Sequence, residues 1–215
     1  MVKKGHRIKI SQGWQYAVFD YGDKVRKVPH SWEDMRQLLL RRDVQYEEGA
    51  LEVLVDRILE YRDESIAGLL KMEVDRSLLG DPVFLENGSF LQDKVITLRD
   101  KLDELEGDTE GRRLVIDEYI DFMFKCWKYG FSERTYNFTK NNGYGSCGVI
   151  LIDLGEILFL EEEVADTLKE KRWLKSWSCM NDLDVELREY YKQEMNRKLT
   201  LGNLDKYWVG QGSVV

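Results

Sequence analysis

Apolar and polar residues alternate through the first thirty positions, in HRIKISQGW, YAVFDYG and KVRKVP. A period of two sends successive side chains to opposite faces of a sheet, so three strands are predicted between residues 6 and 29. Gly22-Asp23 is a turn signal between the last two, giving a hairpin or three-stranded meander. Pro29 ends the third strand because it has no N–H for the ladder. From Ser31 the period becomes helical: Ser31 reads as an N-cap, with acids at Glu33 and Asp34 in the first turn, leading into MRQLLLRR. A longer helix is predicted from about Glu48 to Val74, with Leu51, Leu54, Val55, Ile58, Ile66 and Leu69 on one face. Gly68 weakens it by roughly 1 kcal/mol relative to Ala.

Gly80-Asp81-Pro82 breaks this helix, and PVFLENGSFLQDKV reads as two strands around an Asn87-Gly88 turn. Residues 97 to 112 are charge-rich helix and exposed loop. Arg113 to Tyr129 is a broadly apolar, mostly buried helix. Asn137 to Glu156 begins as a polar loop rich in Asn and turns at Gly. It then enters a buried strand, Val149 to Ile152, which ends at Asp153 and Gly155. LEEEVADTLKEKRWLKSW and DLDVELREYYKQEMNRKLT return to helical spacing. Strands first and helices later predict an α+β fold in two lobes, 1–96 and 97–215, meeting near residues 92 to 97.

A chain of 215 residues suffices for one substantial core or two small lobes sharing a cleft. A net charge of -8 disfavours nucleic acid as a partner, because that affinity depends on Lys and Arg neutralising phosphates. Lys3-Lys4 and Lys169-Lys171-Arg172 read as solvated faces. No apolar run of about 18 residues is present, so no spanning helix and no membrane partner are expected. MVKKGHRIKI lacks the apolar core of a secretion signal. The widely spaced Cys126, Cys147 and Cys179, with His6 and His30, give no zinc spacing. A reduced, cytoplasmic protein is therefore expected.

Chemistry concentrates at Asp153. An acid at the end of a buried strand, close to amide side chains of the preceding loop, suits hydrated Mg²⁺, which takes one or two carboxylates together with substrate phosphates. The plainer alternative is that Asp153 caps whatever follows the strand.

Several positions together resemble a protein-kinase-like fold, as a small, degenerate bacterial-type member. Ser11 to Val18 has the spacing G-x-G-x-x-G-x-V with Gly13 retained, and Val25-Arg26-Lys27 resembles the lysine strand, with Val25 and Lys27 on one face. Asp153-Leu154-Gly155 looks like the metal-binding Asp-Phe-Gly, and Asn137 to Asn142 has the spacing of D-x-x-x-x-N. The resemblance implies a small β-rich N-terminal lobe and a reduced, mostly helical C-terminal lobe binding ATP and Mg²⁺. In that scheme Val18 lies over the base, Lys27 orients phosphates, Asp153 holds metal, and Asn142 or its neighbour Asn141 is the second metal ligand. Glu52, bordering the apolar face of the long helix, is the partner expected for Lys27. Read without the resemblance, Lys27 is an edge-strand lysine that discourages aggregation, and the asparagines form a turn.

The chain departs from the pattern where proton transfer would occur. Asn137 stands at the position of the catalytic aspartate, and an amide cannot accept the acceptor hydroxyl's proton. Glu133, four residues earlier, would substitute only if the loop folds back. General-base help is worth about 10²–10⁴-fold, whereas a loose phosphoryl transition state depends mainly on positioning and electrostatics. About 60 residues follow Asp153 and no Ala-Pro-Glu occurs, so the usual protein-substrate platform is expected to be reduced. Two readings result: an atypical ATP-dependent phosphotransferase acting on a small molecule or an exposed side chain, or a catalytically impaired regulatory protein acting through a protein partner. The C-terminal aromatics Trp173, Trp177, Tyr190, Tyr191, Tyr207 and Trp208 read as core, or in part as a partner surface.

Overall fold

In the computed structural model, residues 9–42 and 45–209 are described. The alternating segments pair as an antiparallel meander of β1 (Lys9–Gln12), β2 (Tyr16–Tyr21) and β3 (Lys24–Pro29). The start of the first predicted strand, residues 6–8, lies outside the described residues, as do His6 and Lys3-Lys4. The β2–β3 turn closes on Gly22 at φ 85, a left-handed conformation that a side chain would strain. Its N–H donates to Asp20 Oδ1 at 2.8 Å.

Helix α1 (Trp32–Leu40) starts at Ser31, whose hydroxyl accepts from the Asp34 N–H while Asp34 reaches back to the Ser31 N–H. This reciprocal cap satisfies donors that the first helical turn leaves free. Helix α2 (Ala50–Lys71) is shorter than the predicted 48–74, because Gly49 is left-handed at its start and Met72 is extended at its end. Met35 and Leu39 of α1 pack with Leu51 and Val55 of α2 in a small separate cluster.

A 3-10 turn at Arg76–Leu79 then leads to β4 (Val83–Phe84) and β5 (Phe90–Asp93). They complete a five-stranded antiparallel sheet in the order β1-β2-β3-β5-β4. The chain continues through β6 (Ile96–Thr97), α3 (Leu98–Glu104), α4 (Thr109–Lys128), β7 (Ser132–Glu133) and α5 (Phe138–Asn141). Next come β8 (Asn142–Gly145), β9 (Gly148–Leu151), β10 (Ile157–Leu158), α6 (Glu161–Lys169), α7 (Val185–Lys198) and α8 (Leu201–Tyr207). Strands β6, β8 and β9 form a small second sheet, and β7 pairs with β10. The molecule is thus a mixed α+β fold with an antiparallel sheet and helices.

The main core centres on α4, whose Ile116, Tyr119, Ile120, Met123 and Trp127 are almost fully buried. The same apolar cluster runs from Tyr16 and Phe90 of the first sheet to Tyr191 and Met195 of α7. Tyr119, Phe138 and Tyr191 form a stack with ring centroids 5.0 and 4.9 Å apart. Of the C-terminal aromatics, Trp173 and Tyr191 are core; Tyr190, Tyr207 and Trp208 pack against it. Trp177 is 53% exposed.

Two contacts tie α2 to the segment after Asp153. Ser65 Oγ accepts from the Ile157 N–H at 2.9 Å. The Phe159 ring lies so close to Gly68 that a β-carbon there would fall 2.3 Å from it. Among the described residues no helix is long and apolar enough to cross a membrane.

Candidate functional site

Two adjoining cavities open between the first sheet and the segments on either side of the β8–β9 hairpin, Lys140–Asn141 and Ile152–Asp153. The inner one, about 270 Å³, is lined by Gly13, Tyr16, Val18, Val25, Lys27 and Val95 on one side and Ile152 and Asp153 on the other, among other residues. Its roof follows from strand register: Val18 pairs with Lys27 across β2 and β3, and the two-residue period sets Val25 beside Lys27 on the same face. The outer chamber, about 760 Å³, shares Gly13, Trp14, Gln15, Thr97, Lys140 and Asp153 with the inner one and adds Asn137, Asn141, Glu156 and Trp177.

Lys27 and Asp153 therefore line one cleft. The ammonium is buried and donates to the Ile152 carbonyl. Burial pulls its pKa down to about 8, and the nearby Asp153 charge opposes that shift. Phe90, opposite Lys27 in the β3–β5 register, places its ring centroid 5.7 Å from Nζ. Glu52 is not brought to this lysine. It faces α1, where its carboxylate pairs with Arg36 at 3.5 Å, and is 44% exposed. The apolar face that Glu52 borders packs on α1 rather than on β3.

Asp153 is placed by the last residue of α5. The Asn141 carbonyl accepts from the Ile152 and Asp153 N–H groups at 2.8 and 3.0 Å. Strand β9 consequently ends at Leu151, one residue before the predicted end, since Ile152 bonds to the end of α5 instead of to a strand. Gly155 donates to Asp153 Oδ1 at 3.2 Å, a local turn that holds the carboxylate.

Of the two adjacent asparagines, Asn141 lines the outer chamber, whereas Asn142 opens β8 and is fully buried beneath it. The helix-to-strand junction falls between them: Asn141 ends α5, whereas Asn142 opens the β8–β9 ladder opposite Leu151. Both donate to Glu133, Asn141 Nδ2 to Oε1 at 2.9 Å and Asn142 Nδ2 to Oε2 at 3.1 Å. The Tyr119 hydroxyl adds a third donor at 3.2 Å. Burial raises the Glu133 pKa to about 7 even though these three hydrogen bonds favour its charged form, and the Asp153 charge pushes it further up. Glu156 is likewise raised to about 7, by burial and then by Asp153. Glu133 does not line either cavity, so the loop does not fold back to present it to the cleft. Asn137 does line the outer chamber, with its Oδ1 engaged by the Trp177 N–H at 2.8 Å.

Gln15 is a site residue that pattern reading passes over. It is buried, and Nε2 donates to the Gly155 carbonyl at 3.1 Å and to the Ile58 carbonyl of α2 at 3.4 Å. Its Oε1 is buried with no hydrogen-bond partner. The absence of a side chain at Gly155 admits it, because a β-carbon there would lie 1.4 Å from Oε1. Only its position inside the glycine-containing turn hinted at this role. At the chamber mouth, Arg42 lies over the Trp14 ring, 3.4 Å from its centroid, and Lys140 over Trp177 at 4.4 Å.

The residues fit a triphosphate and a hard cation. A buried ammonium without a carboxylate ion-pair partner among the described residues can take an anion. The Asp153 carboxylate and the Asn141 amide oxygen are the oxygen donors Mg²⁺ prefers when phosphates complete its shell. Among the described residues no cluster of three or more His, Cys, Asp or Glu forms a self-contained metal site.

No protein-family model matches this chain, and no curated protein matches it. Among solved structures, a co-crystal structure of WbdD with the kinase inhibitor LY294002 aligns with 87% of this chain and 45% of that one, at 15% identity and a TM-score of 0.45. The present chain spans less than half the length of that protein.

Proposed function

We propose that the cleft binds ATP with Mg²⁺ and that the chain is a small, atypical kinase-like phosphotransferase acting on a small molecule. The observation that carries this reading is the convergence of the buried Lys27 ammonium and Asp153 on one cavity. The base would lie between Val18, Val25 and Ile152, with Lys27 on the α- and β-phosphates and Gly13 in the turn that covers them. Asp153 and Asn141 would hold the cation, which neutralises charge on the transferring phosphoryl group. In this scheme residues 1–96 and 97–215 form the two lobes of a bilobal kinase-like molecule, joined at Lys94–Ile96.

The outer chamber supports a small acceptor. It opens directly off the position assigned to the terminal phosphate, and its volume of about 760 Å³ lies in the range typical of small-molecule pockets. No carboxylate stands at Asn137 to take the acceptor's proton, so rate would come from positioning and electrostatics.

A second reading, a regulatory protein that binds nucleotide without turning it over, is favoured by one feature. Asn137 presents an amide oxygen, already accepting from the Trp177 N–H, where a carboxylate would be needed to take up the acceptor's proton.

Thermal melting with Mg-ATP tests both. Ligand at about 100 times its Kd adds roughly 2.7 kcal/mol, which for a chain of this size raises Tm by about 5–10 °C. Lys27→Met should abolish the rise while leaving the unliganded Tm within a few degrees. No shift in the wild type refutes nucleotide binding. A shift without ATP consumption selects the regulatory reading.

A further inference from the structure

We propose that Glu133 is a positioning residue for the metal ligand: it fixes the Asn141 amide so that the oxygen, not the nitrogen, faces the cleft beside Asp153. This inference rests on the Mg-ATP reading given above and adds to it a residue that touches neither cation nor phosphate.

The argument is one of donors and acceptors. A primary amide carries two N–H donors on one end and an acceptor oxygen on the other. Both Asn141 hydrogens are taken, one by Glu133 Oε1 at 2.9 Å and one by Thr135 Oγ1 at 3.0 Å. With Glu133 ionised, a flipped amide would set oxygen against carboxylate oxygen, with no hydrogen to share, in a buried place where an unmade hydrogen bond is costly. Oδ1 is therefore left for the chamber that Asn141 lines.

Glu133 is itself immobilised. Its other oxygen accepts from Asn142 Nδ2 at 3.1 Å and from the Tyr119 hydroxyl at 3.2 Å, and the Tyr119 ring stacks on Phe138 at 5.0 Å. Strand β7, pairing with β10 through Glu133 and Ile157, fixes its backbone. The Asn141 carbonyl, holding the Ile152 and Asp153 N–H groups, keeps the oriented amide next to Asp153. Partners behind a metal ligand commonly alter metal affinity by 10–100-fold through this kind of orientation.

A substitution cycle tests the proposal, with Mn²⁺ as the probe, titrated by electron paramagnetic resonance onto the full chain in the presence of ATP. Glu133→Met removes the acceptor that holds the Asn141 amide and should weaken Mn²⁺ binding at least about tenfold. Asn141→Ala deletes the amide and leaves Asp153 and the ATP phosphates to bind Mn²⁺ more weakly. In that background Glu133→Met should leave Mn²⁺ affinity within about twofold, since no amide remains to be turned. An equal loss in both backgrounds means that Glu133 only supports the fold, and no loss in the first means that it does not orient Asn141; either result overturns the inference. Should Glu133→Met fail to fold, Glu133→Asp draws the carboxylate back by one methylene and runs the same comparison with the same expected asymmetry. If wild-type protein binds no Mn²⁺ with ATP, the nucleotide reading falls and this inference with it. Normal wild-type binding with an insensitive Glu133→Met removes this inference alone.

Discussion

Lys27 illustrates how one residue can set a pH limit on the whole site. Its ammonium pays for burial with a pKa near 8, so just above neutrality it begins to lose the charge that a triphosphate would need. Mg-ATP affinity should accordingly be steady below pH 7 and fall roughly fivefold between pH 8 and pH 9 as the proton leaves. Lys27→Arg, whose guanidinium stays protonated across this range, should flatten that dependence whatever its absolute affinity. Isothermal titration at several pH values checks both; a wild-type profile flat from 7 to 9 would show that Lys27 is not the phosphate contact. Lys27 and Asp153 were legible because both lie in short patterned segments, a period-two strand and an apolar run ending in Asp-x-Gly. Glu52 was not, because periodicity gives the apolar face of α2 without saying which neighbour that face meets. The choice between Asn141 and Asn142 was open for a similar reason: it depends on where the β8 ladder begins.

At the scale of elements, α2 carries a residue whose ordinary effect should be reversed. Replacing a mid-helix Gly by Ala usually stabilises by about 1 kcal/mol. At Gly68 the new methyl would sit 2.3 Å from the Phe159 ring, an overpacking penalty of about 1–3 kcal/mol. Gly68→Ala should therefore destabilise by up to about 2 kcal/mol, and in a Phe159→Ala background it should stabilise instead. Urea melts of the four proteins measure this sign change; a stabilising Gly68→Ala in the parent would disprove the close contact. The Ser31 cap, the Gly22-Asp23 turn and the long α4 stood out in the sequence because each depends on local chemistry. The two-residue strands β7 and β10 did not, since their pairing joins Ser132-Glu133 to Ile157-Leu158 across the fold. The four-residue α5 is too short for any periodic signal. Hence a segment expected to be polar loop up to residue 148 contains a helical turn and a strand.

For the whole molecule, the buried titrating groups act in opposite senses. Glu133 and Glu156, raised to about 7, hold protons more tightly folded than unfolded, so stability is lost as pH climbs from about 4.5 to 7. Lys27, lowered to about 8, holds its proton less tightly when folded, so its penalty is complete below 8 and relieved as pH rises from there towards 10.5. Unliganded protein should thus melt at its lowest temperature between pH 7 and 8, and Glu133→Gln should make the acidic limb shallower. A melting curve that peaks in that interval would show that these carboxylates are solvated. The α+β composition followed from the order of strands and helices along the chain, but the continuity of one apolar cluster from Tyr16 to Tyr191 depends on tertiary packing.

Gln15 gives the cleft a latch. One amide clasps the Gly155 carbonyl and the Ile58 carbonyl at once, so the covering turn cannot lift without loosening either the Asp153 loop or the middle of α2. Entry of a ligand large enough to raise that turn would therefore be registered on the outer helix, well away from the pocket it fills.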